Sequence, residues 1–366
     1  MCADDFVINL DWLSFSVHFC LSFAEKDTHE FFLSEPTGCR LLHLTGTNVY
    51  KSRDILYSGD GEKLLTLCYH PFSSVIHPAS CLVQVANKWL YTGFQWVLFR
   101  LAQIHTFVIT NLTRVDISCD FPCTAERYKV INALYRNDYY VQGKKEGAHF
   151  QDFEYGNYVY AAPRQLSWGS VNSNIKWKLY NKSLELREVS PSGEVHCSKP
   201  YIRDTWAQKG WDVDKVWRLE VSICPAGAFE YKGRRLGYDE ACNWFYMADL
   251  FQSLYMTRFV IRANQGHKDK TNDRRVYLLG DWGRKPRMSH RPPLESREVV
   301  EYISGLRAAM KQRTLPEVIA NPVMLDVWTR TAIECVKVGH LQKYFNDVYG
   351  VPIERIAELS EYDTSV

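Results

Sequence analysis

The chain has 366 residues, a formal net charge of +2, 46% hydrophobic and 23% charged residues. That length allows two domains, or one large domain with an appendage, and the composition is that of a folded globular protein. A charge so close to zero excludes a polybasic chain and confines any nucleic-acid surface to a local patch.

The 11 cysteines are scattered and form no Cys-x-x-Cys pair. They read as reduced, partly buried thiols rather than a disulfide framework or a zinc site. The N-terminus lacks a basic region followed by an apolar stretch, and no apolar run approaches the roughly 20 residues of a membrane span. The expectation is a cytoplasmic chain with no membrane contact.

In chain order, residues 6–20 alternate through Phe6, Ile8, Leu10, Trp12, Ser14 and Ser16 and predict a first strand. Residues 40–90 hold several short strands split by turns such as Ser58-Gly59-Asp60-Gly61. Trp96, Phe99, Leu101 and Ile104 predict a helix over 92–107. A strand over 113–120 follows, then a helix over 125–136 with Thr124 as its N-cap. Residues 138–223 return to strand patterning, with loops at 143–147 and 188–200. Cys242, Phe245, Leu250, Leu254 and Tyr255 predict a helix over 239–257. Residues 262–291 hold nine Lys or Arg against three Asp, including Arg274, Arg275, Arg284, Lys285 and Arg287. The stretch reads either as a solvated loop or as a contact to a DNA backbone. After His290-Arg-Pro-Pro293, residues 296–312 and 323–348 read as amphipathic helices. The order predicts an α+β fold, mainly antiparallel sheet with packed helices over 1–293, and a small helical C-terminal region over 294–366.

Three strand-like segments sort ionisable and apolar residues onto opposite faces. Thr113-Arg-Val-Asp-Ile-Ser-Cys-Asp120 sets Arg114, Asp116, Ser118 and Asp120 against Val115, Ile117 and Cys119. Lys176-Trp-Lys-Leu-Tyr-Asn-Lys182 sets Lys176, Lys178, Tyr180 and Lys182 against Trp177 and Leu179. Val216-Trp-Arg-Leu-Glu-Val-Ser-Ile223 sets Arg218 and Glu220 against Trp217, Leu219, Val221 and Ile223.

Same-face neighbours on a strand lie about 7 Å apart, so Lys178, Tyr180 and Lys182 form a row whose charges repel unless an anion covers them. A phosphodiester supplies such an anion. Positive charge beside Tyr180 would favour its phenolate and make it a nucleophile; the plainer reading is an edge strand with a solvated lysine face. Asp116 and Glu220, each two residues after an arginine, offer the oxygen ligands that Mg²⁺ or Mn²⁺ prefers, or else form cross-strand ion pairs. Asp120 lies about 13 Å from Asp116 along a straight strand, too far to share an ion, and is a supporting or structural candidate. No Walker loop, no paired-histidine zinc helix and no Gly-x-Ser-x-Gly is present, so ATP-driven, zinc and serine-hydrolase chemistries lose their support.

Four motifs together carry a resemblance: Asp11-Trp-Leu-Ser-Phe-Ser16, the segment 113–120, Trp168-Gly-Ser-x-x-Ser173 with Leu179-Tyr-Asn-Lys-x-x-Glu185, and Trp217-Arg-Leu-Glu220. In this order the chain resembles the replication initiation factor family, which holds rolling-circle initiators of plasmids and phages and relaxases of some integrative elements. The resemblance spans about residues 8–290. It implies a relaxase-like nicking and joining enzyme that forms a 5′-phosphotyrosyl link and frees a 3′-hydroxyl. Residue by residue, it implies Tyr180 as nucleophile, Asp116 and Glu220 as ligands of Mg²⁺ or Mn²⁺, Lys182 as a phosphate contact and Glu185 in support. Arg114, Lys176, Lys178 and Arg218 would then hold DNA beside the site. The implied partners are a replication origin with a single-stranded or extruded nick site, a host helicase and polymerase, and a second copy of the chain in a homodimer. The His-hydrophobe-His metal motif of the wider relaxase class is missing here. A DNA-binding protein without catalysis is the reading from another class.

Overall fold

The computed structural model describes residues 5–19, 30–32, 38–72, 80–104, 107–143, 146–155, 158–170, 172–189, 194–267 and 272–290. They belong to one compact unit, Met1–Phe72 with Pro78–His290. A second unit, Ser73–His77 with Arg291–Val366, lies outside the described residues. So do the expected helices over 296–312 and 323–348.

The strands are β1 (Val7–Phe19), β2 (Glu30–Phe32), β3 (Arg40–Thr45), β4 (Tyr50–Tyr57), β5 (Lys63–Pro71), β6 (Ser80–Val85), β7 (Phe107–Pro122), β8 (Tyr139–Val141), β9 (Glu146–Tyr155), β10 (Tyr158–Trp168), β11 (Ile175–Asn181), β12 (Arg187–Val189), β13 (Val195–Cys197) and β14 (Val216–Ile223), before five short ones. Eleven of them form one sheet in the order β2-β3-β4-β5-β6-β1-β7-β14-β11-β10-β9. Every pairing within it is antiparallel. The helices are α1 (Asn87–Thr92), α2 (Phe94–Ile104), α3 (Ala125–Tyr135), α4 (Lys182–Glu185), α5 (Pro200–Gln208), α6 (Tyr238–Cys242) and α7 (Trp244–Arg258). The fold is α+β with a mainly antiparallel sheet, as the sequence predicts.

Local chemistry sets the boundaries. The Thr124 side chain accepts the Arg127 amide and starts α3. The helix expected over 239–257 is two helices, because the Asn243 side chain accepts the Tyr246 amide and opens α7 afresh. α5 replaces expected strand: Pro200 stands in its first turn, where its missing N–H costs nothing, and Ile202 and Trp206 bury one face.

One face of the central strands is apolar and fully buried, with Val115, Ile117, Cys119, Trp177, Leu179, Leu219 and Val221 all at 0% exposure. α7 covers it: the Trp177 ring lies 4.9 Å from Phe259 and 6.0 Å from Phe251. Each large side chain buried this way contributes about 1.5–3 kcal/mol. The opposite face carries the polar residues of the same strands.

β1 departs from simple alternation. Leu10 pairs with Ile117 and Trp12 with Asp116, so Asp11 is the extra residue of a β-bulge. The bulge flips the phase. Ile8 and Leu10 before it, and Leu13, Phe15 and Val17 after it, all enter the core. Trp12, expected in phase with Leu10, turns instead to the polar face, where the Arg114 guanidinium lies 4.5 Å from its ring centre.

Candidate active site

The sheet register assembles the site. Lys178 faces Glu220 and Tyr180 faces Arg218 across β11 and β14. Across β14 and β7, Arg218 faces Asp120, Glu220 faces Ser118 and Ser222 faces Asp116. Tyr180 and Asp116 are therefore the diagonal neighbours of Glu220, one on each flanking strand. The Tyr180 hydroxyl donates to Glu220 Oε2 at 3.0 Å. Lys178 Nζ lies 3.6 Å from Glu220 Oε1. Arg114 grips both oxygens of Asp116, Nε donating to Oδ1 at 2.9 Å. Tyr180, Glu220 and Asp116 are buried, whereas the side chains of Arg114 and Lys178 are 34% and 44% exposed.

Two motif residues shape this corner. Gly169 has φ +116°, and a Cβ on it would come within 3.1 Å of the Ile175 carbonyl oxygen and 3.4 Å of Lys176 Cα, so only glycine suits the β10–β11 junction. Lys176 stands half-buried at that corner. The Asn181 side chain accepts the Leu184 amide at 3.0 Å and ends β11 by capping α4.

That cap corrects the expected lysine row. Lys182 is the first residue of α4 rather than a strand residue, and it is 1% exposed. Its ammonium bonds Glu185 at 2.7 Å and lies 5.4 Å from the Tyr180 ring centre. Burial and the Arg218 charge lower its pKa against the opposing pull of Asp11 and Glu185. Lys182 is enclosed and paired, which does not suit the expected phosphate contact.

The expected effect on Tyr180 is also reversed. Burial first, and then the Glu220 charge, push its hydroxyl well above the ordinary phenol range. Glu220 is itself raised, by burial and by the negative charges of Asp11 and Asp116. The Tyr180 phenol keeps its proton at rest, and Glu220 Oε2 is the acceptor in line to take it when the oxygen reacts.

Arg218 is the second correction among the basic residues. It is 0% exposed and cannot reach DNA. Its Nε donates to Asp120 Oδ1 at 2.5 Å, and Nη2 donates to Asp120 Oδ2 and to the Tyr91 hydroxyl, each at 2.8 Å. Nη1 bonds Asp11. Trp206 of α5 donates to Asp120 at 2.9 Å, Tyr91 of α1 donates to Asp11 at 2.9 Å, and Tyr201 of α5 bonds Asn87, which bonds Asp11. Burial would raise the Asp11 pKa, but Arg218 and Lys182 outweigh it and hold Asp11 well below the usual carboxylate range. The helices α1 and α5 thus roof this end of the polar face. Asp120 sits in that roofed network, a structural position. Asp11, Tyr91, Asn87, Tyr201 and Trp206 had no expected role; Asp11 opens the first of the resemblance motifs, and the three-residue step from Leu10 to Leu13 breaks the alternation of its strand.

The basic stretch stands apart from the tyrosine. Tyr255 of α7 accepts the amides of Leu278 and Leu279, and Trp282 lies 4.9 Å from the Tyr255 ring. Residues 278–282 therefore pack on α7, on the apolar side of the sheet. Arg274, Arg284 and Arg287 are exposed; Arg275 donates to the Met256 carbonyl at 2.8 Å, and Lys285 pairs with Asp249 at 3.0 Å.

Among the described residues no group of three or more His, Cys, Asp or Glu is placed to hold a metal ion. Asp116 and Glu220 are two acids on neighbouring strands, and Mg²⁺ is commonly held by one or two carboxylates completed by water and phosphate. The crowding that raises Glu220 is the kind a cation relieves. Hard oxygen donors of this sort suit Mg²⁺ or Mn²⁺, although Arg114 occupies both Asp116 oxygens here.

Tyr158 and Tyr160 lie on β10, with side chains outside the described set. The eight cysteines among the described residues are free thiols, four of them buried. No described helix is long and apolar enough to cross a membrane.

No protein-family model matches the chain, and no curated protein sequence matches it. Among solved structures, the chain is similar to a rolling circle replication initiator protein from Geobacillus stearothermophilus. The two share 16% identical residues and superpose with a TM-score of 0.42, over 75% of this chain and 94% of that one.

Proposed function

We propose that the chain is a DNA nicking and joining enzyme with Tyr180 as nucleophile, acting as a rolling-circle replication initiator. The observation that carries the reading is the Tyr180 hydroxyl donating at 3.0 Å to Glu220, a buried carboxylate of raised pKa, beside two half-exposed cations, Arg114 and Lys178. The motif resemblance supports it from the sequence side. A DNA-binding protein without catalysis has no need of a tyrosine set between two acids that could hold a metal ion.

In the proposed reaction Glu220 takes the Tyr180 proton as the phenolic oxygen attacks a phosphodiester phosphorus. A bond forms between that oxygen and phosphorus, and the bond to the 3′-oxygen breaks. The 3′-oxygen leaves as a hydroxyl after taking a proton from water, and the 5′-phosphate stays on Tyr180. Arg114 and Lys178 are the cations that face the incoming phosphate, and Lys176 continues the basic rim. Asp116, and the Glu220 oxygen that does not accept Tyr180, would hold Mg²⁺ or Mn²⁺, with phosphate taking over Arg114; such an ion would supply charge at the phosphoryl oxygens. Because Tyr180 is only 8% exposed, the substrate is an unpaired or extruded strand, whose single flexible backbone can approach an enclosed hydroxyl more closely than stiff duplex can. The partners in this reading are the origin DNA, a host helicase and polymerase that use the freed 3′-end, and a second copy of the chain. A conjugative relaxase would use the same residues on a different element.

The test is incubation of the chain with origin-bearing supercoiled DNA and Mg²⁺ or Mn²⁺. Nicked circles carrying a protease-sensitive band shift are expected. Tight binding with no nick under any of these conditions would favour the non-catalytic binder.

A further inference from the structure

We propose that α7 and residues 275–287 form a second DNA site, which grips the backbone of an unpaired strand on the face of the sheet away from Tyr180. The inference rests on the reading that the chain acts on DNA, but not on Tyr180 being the nucleophile.

A groove of about 810 Å³ opens there, lined among others by Met256, Arg275, Tyr277, Arg284, Lys285 and Arg287. Four cations meet one acid, Asp281, in its wall. The groove is built rather than loose. Asp281 accepts the Gly283 amide at 2.8 Å, and Gly283 turns the chain at φ +72°. Ser253 donates to the Pro286 carbonyl, Arg258 donates to the Met288 carbonyl at 3.4 Å, and Lys285 bonds Asp249 of α7. These ties fix the loop backbone while the Arg284 and Arg287 side chains stay exposed, with no ion pair among the described residues.

Arg275 completes the wall: its guanidinium lies 4.7 Å from the Tyr277 ring centre and donates to the Met256 carbonyl at 2.8 Å, which holds the ring and the cation side by side. A concave basic wall with an aromatic ring is the pattern that holds single strands, the cations tracking phosphates and the ring taking a base. Since α7 covers the Trp177 face and Tyr180 points from the opposite one, this site holds a different stretch of strand from the one being cut.

Fluorescence anisotropy tests this on the full chain, with a mixed-sequence single-stranded oligonucleotide and its duplex over a salt series. For the double variant Arg284→Ala/Arg287→Ala, the slope of log K against log salt on the single strand should fall by about 1.4, near 0.7 for each phosphate no longer neutralised. Affinity at low salt should fall at least about ten-fold. Arg284→Lys/Arg287→Lys should restore the slope, which a folding defect would not allow. Unchanged slope and affinity in the alanine variant would overturn the groove while leaving the tyrosine reading intact. A weakening confined to duplex would overturn the unpaired-strand assignment. A wild-type chain that binds neither DNA would overturn both readings.

Discussion

The two arginine-x-acid pairs of the polar face have the same spacing and opposite fates. In Arg114-Val-Asp116 the arginine closes on its own acid and keeps its side chain 34% exposed. In Arg218-Leu-Glu220 the arginine is fully buried, turns away to Asp11 and Asp120, and leaves Glu220 to Tyr180 and Lys178. The difference comes from the neighbours. β14 lies between β7 and β11, so Arg218 faces Asp120 directly, and the bulge in β1 brings Asp11 to its other side. One end of the face is closed and holds the sheet; the other keeps cations in water and a reactive pair beneath them.

The largest expected effect is at the closed end. Arg218→Met strands Asp11 and Asp120 as buried charges and should cost about 3–5 kcal/mol in urea unfolding. The pH dependence sharpens this. The folded pKa of Asp11 lies below its ordinary 3.8, so its stabilisation is complete above that value and is lost as pH falls toward the folded pKa. The gap between wild type and Arg218→Met should therefore narrow below about pH 4. A gap that stays constant there would mean that Asp11 is not the partner that matters.

At the open end the expected loss is in rate. Glu220→Gln keeps the shape and removes the base, so cleavage should fall about 10²–10⁴-fold with DNA affinity retained. In the wild type, cleavage should fall as pH drops through a value above the ordinary 4.5 of the carboxyl. For stability the sign is opposite to that of Asp11. A raised folded pKa gives stability present below 4.5 and lost as pH rises, so Glu220 is a burden at neutral pH. Glu220→Gln should unfold at a slightly higher temperature than the wild type, the mark of a site kept for reactivity. A lower melting temperature with normal cleavage would make Glu220 structural.

The smallest expected effect is at the boundary between the two ends. Lys182→Met removes a charge that burial disfavours, so stability should change by no more than about 1 kcal/mol and the salt slope of DNA binding should not move. A slope reduced by about 0.7 would restore Lys182 as a phosphate contact.

The sequence made the strands and their two faces legible, because period-two alternation over Val115–Cys119, Trp177–Leu179 and Trp217–Ile223 is a local property. What covers a face is not local. Alternation put Arg218 and Glu220 on one polar face, but nothing in Trp217-Arg-Leu-Glu220 announces that α1 and α5 roof only the arginine. The lysine row failed at Asn181, whose capping competed with strand patterning and won. The phase flip at Asp11 was visible only as Leu10 and Leu13 standing three apart. The lysines near Tyr180 in sequence do not set the state of its hydroxyl; Glu220, forty residues away, accepts it, and no local pattern announces that pairing.

The most direct measurement is mass spectrometry of a trapped covalent adduct on wild type and Tyr180→Phe, the change that removes only the phenolic oxygen. A nucleotide on Tyr180 in the wild type, and none in the variant at unchanged DNA affinity, is the expected result. A nucleotide on another tyrosine, or an adduct that survives in Tyr180→Phe, would contradict the assignment of the Tyr180–Glu220 pair as the reacting centre.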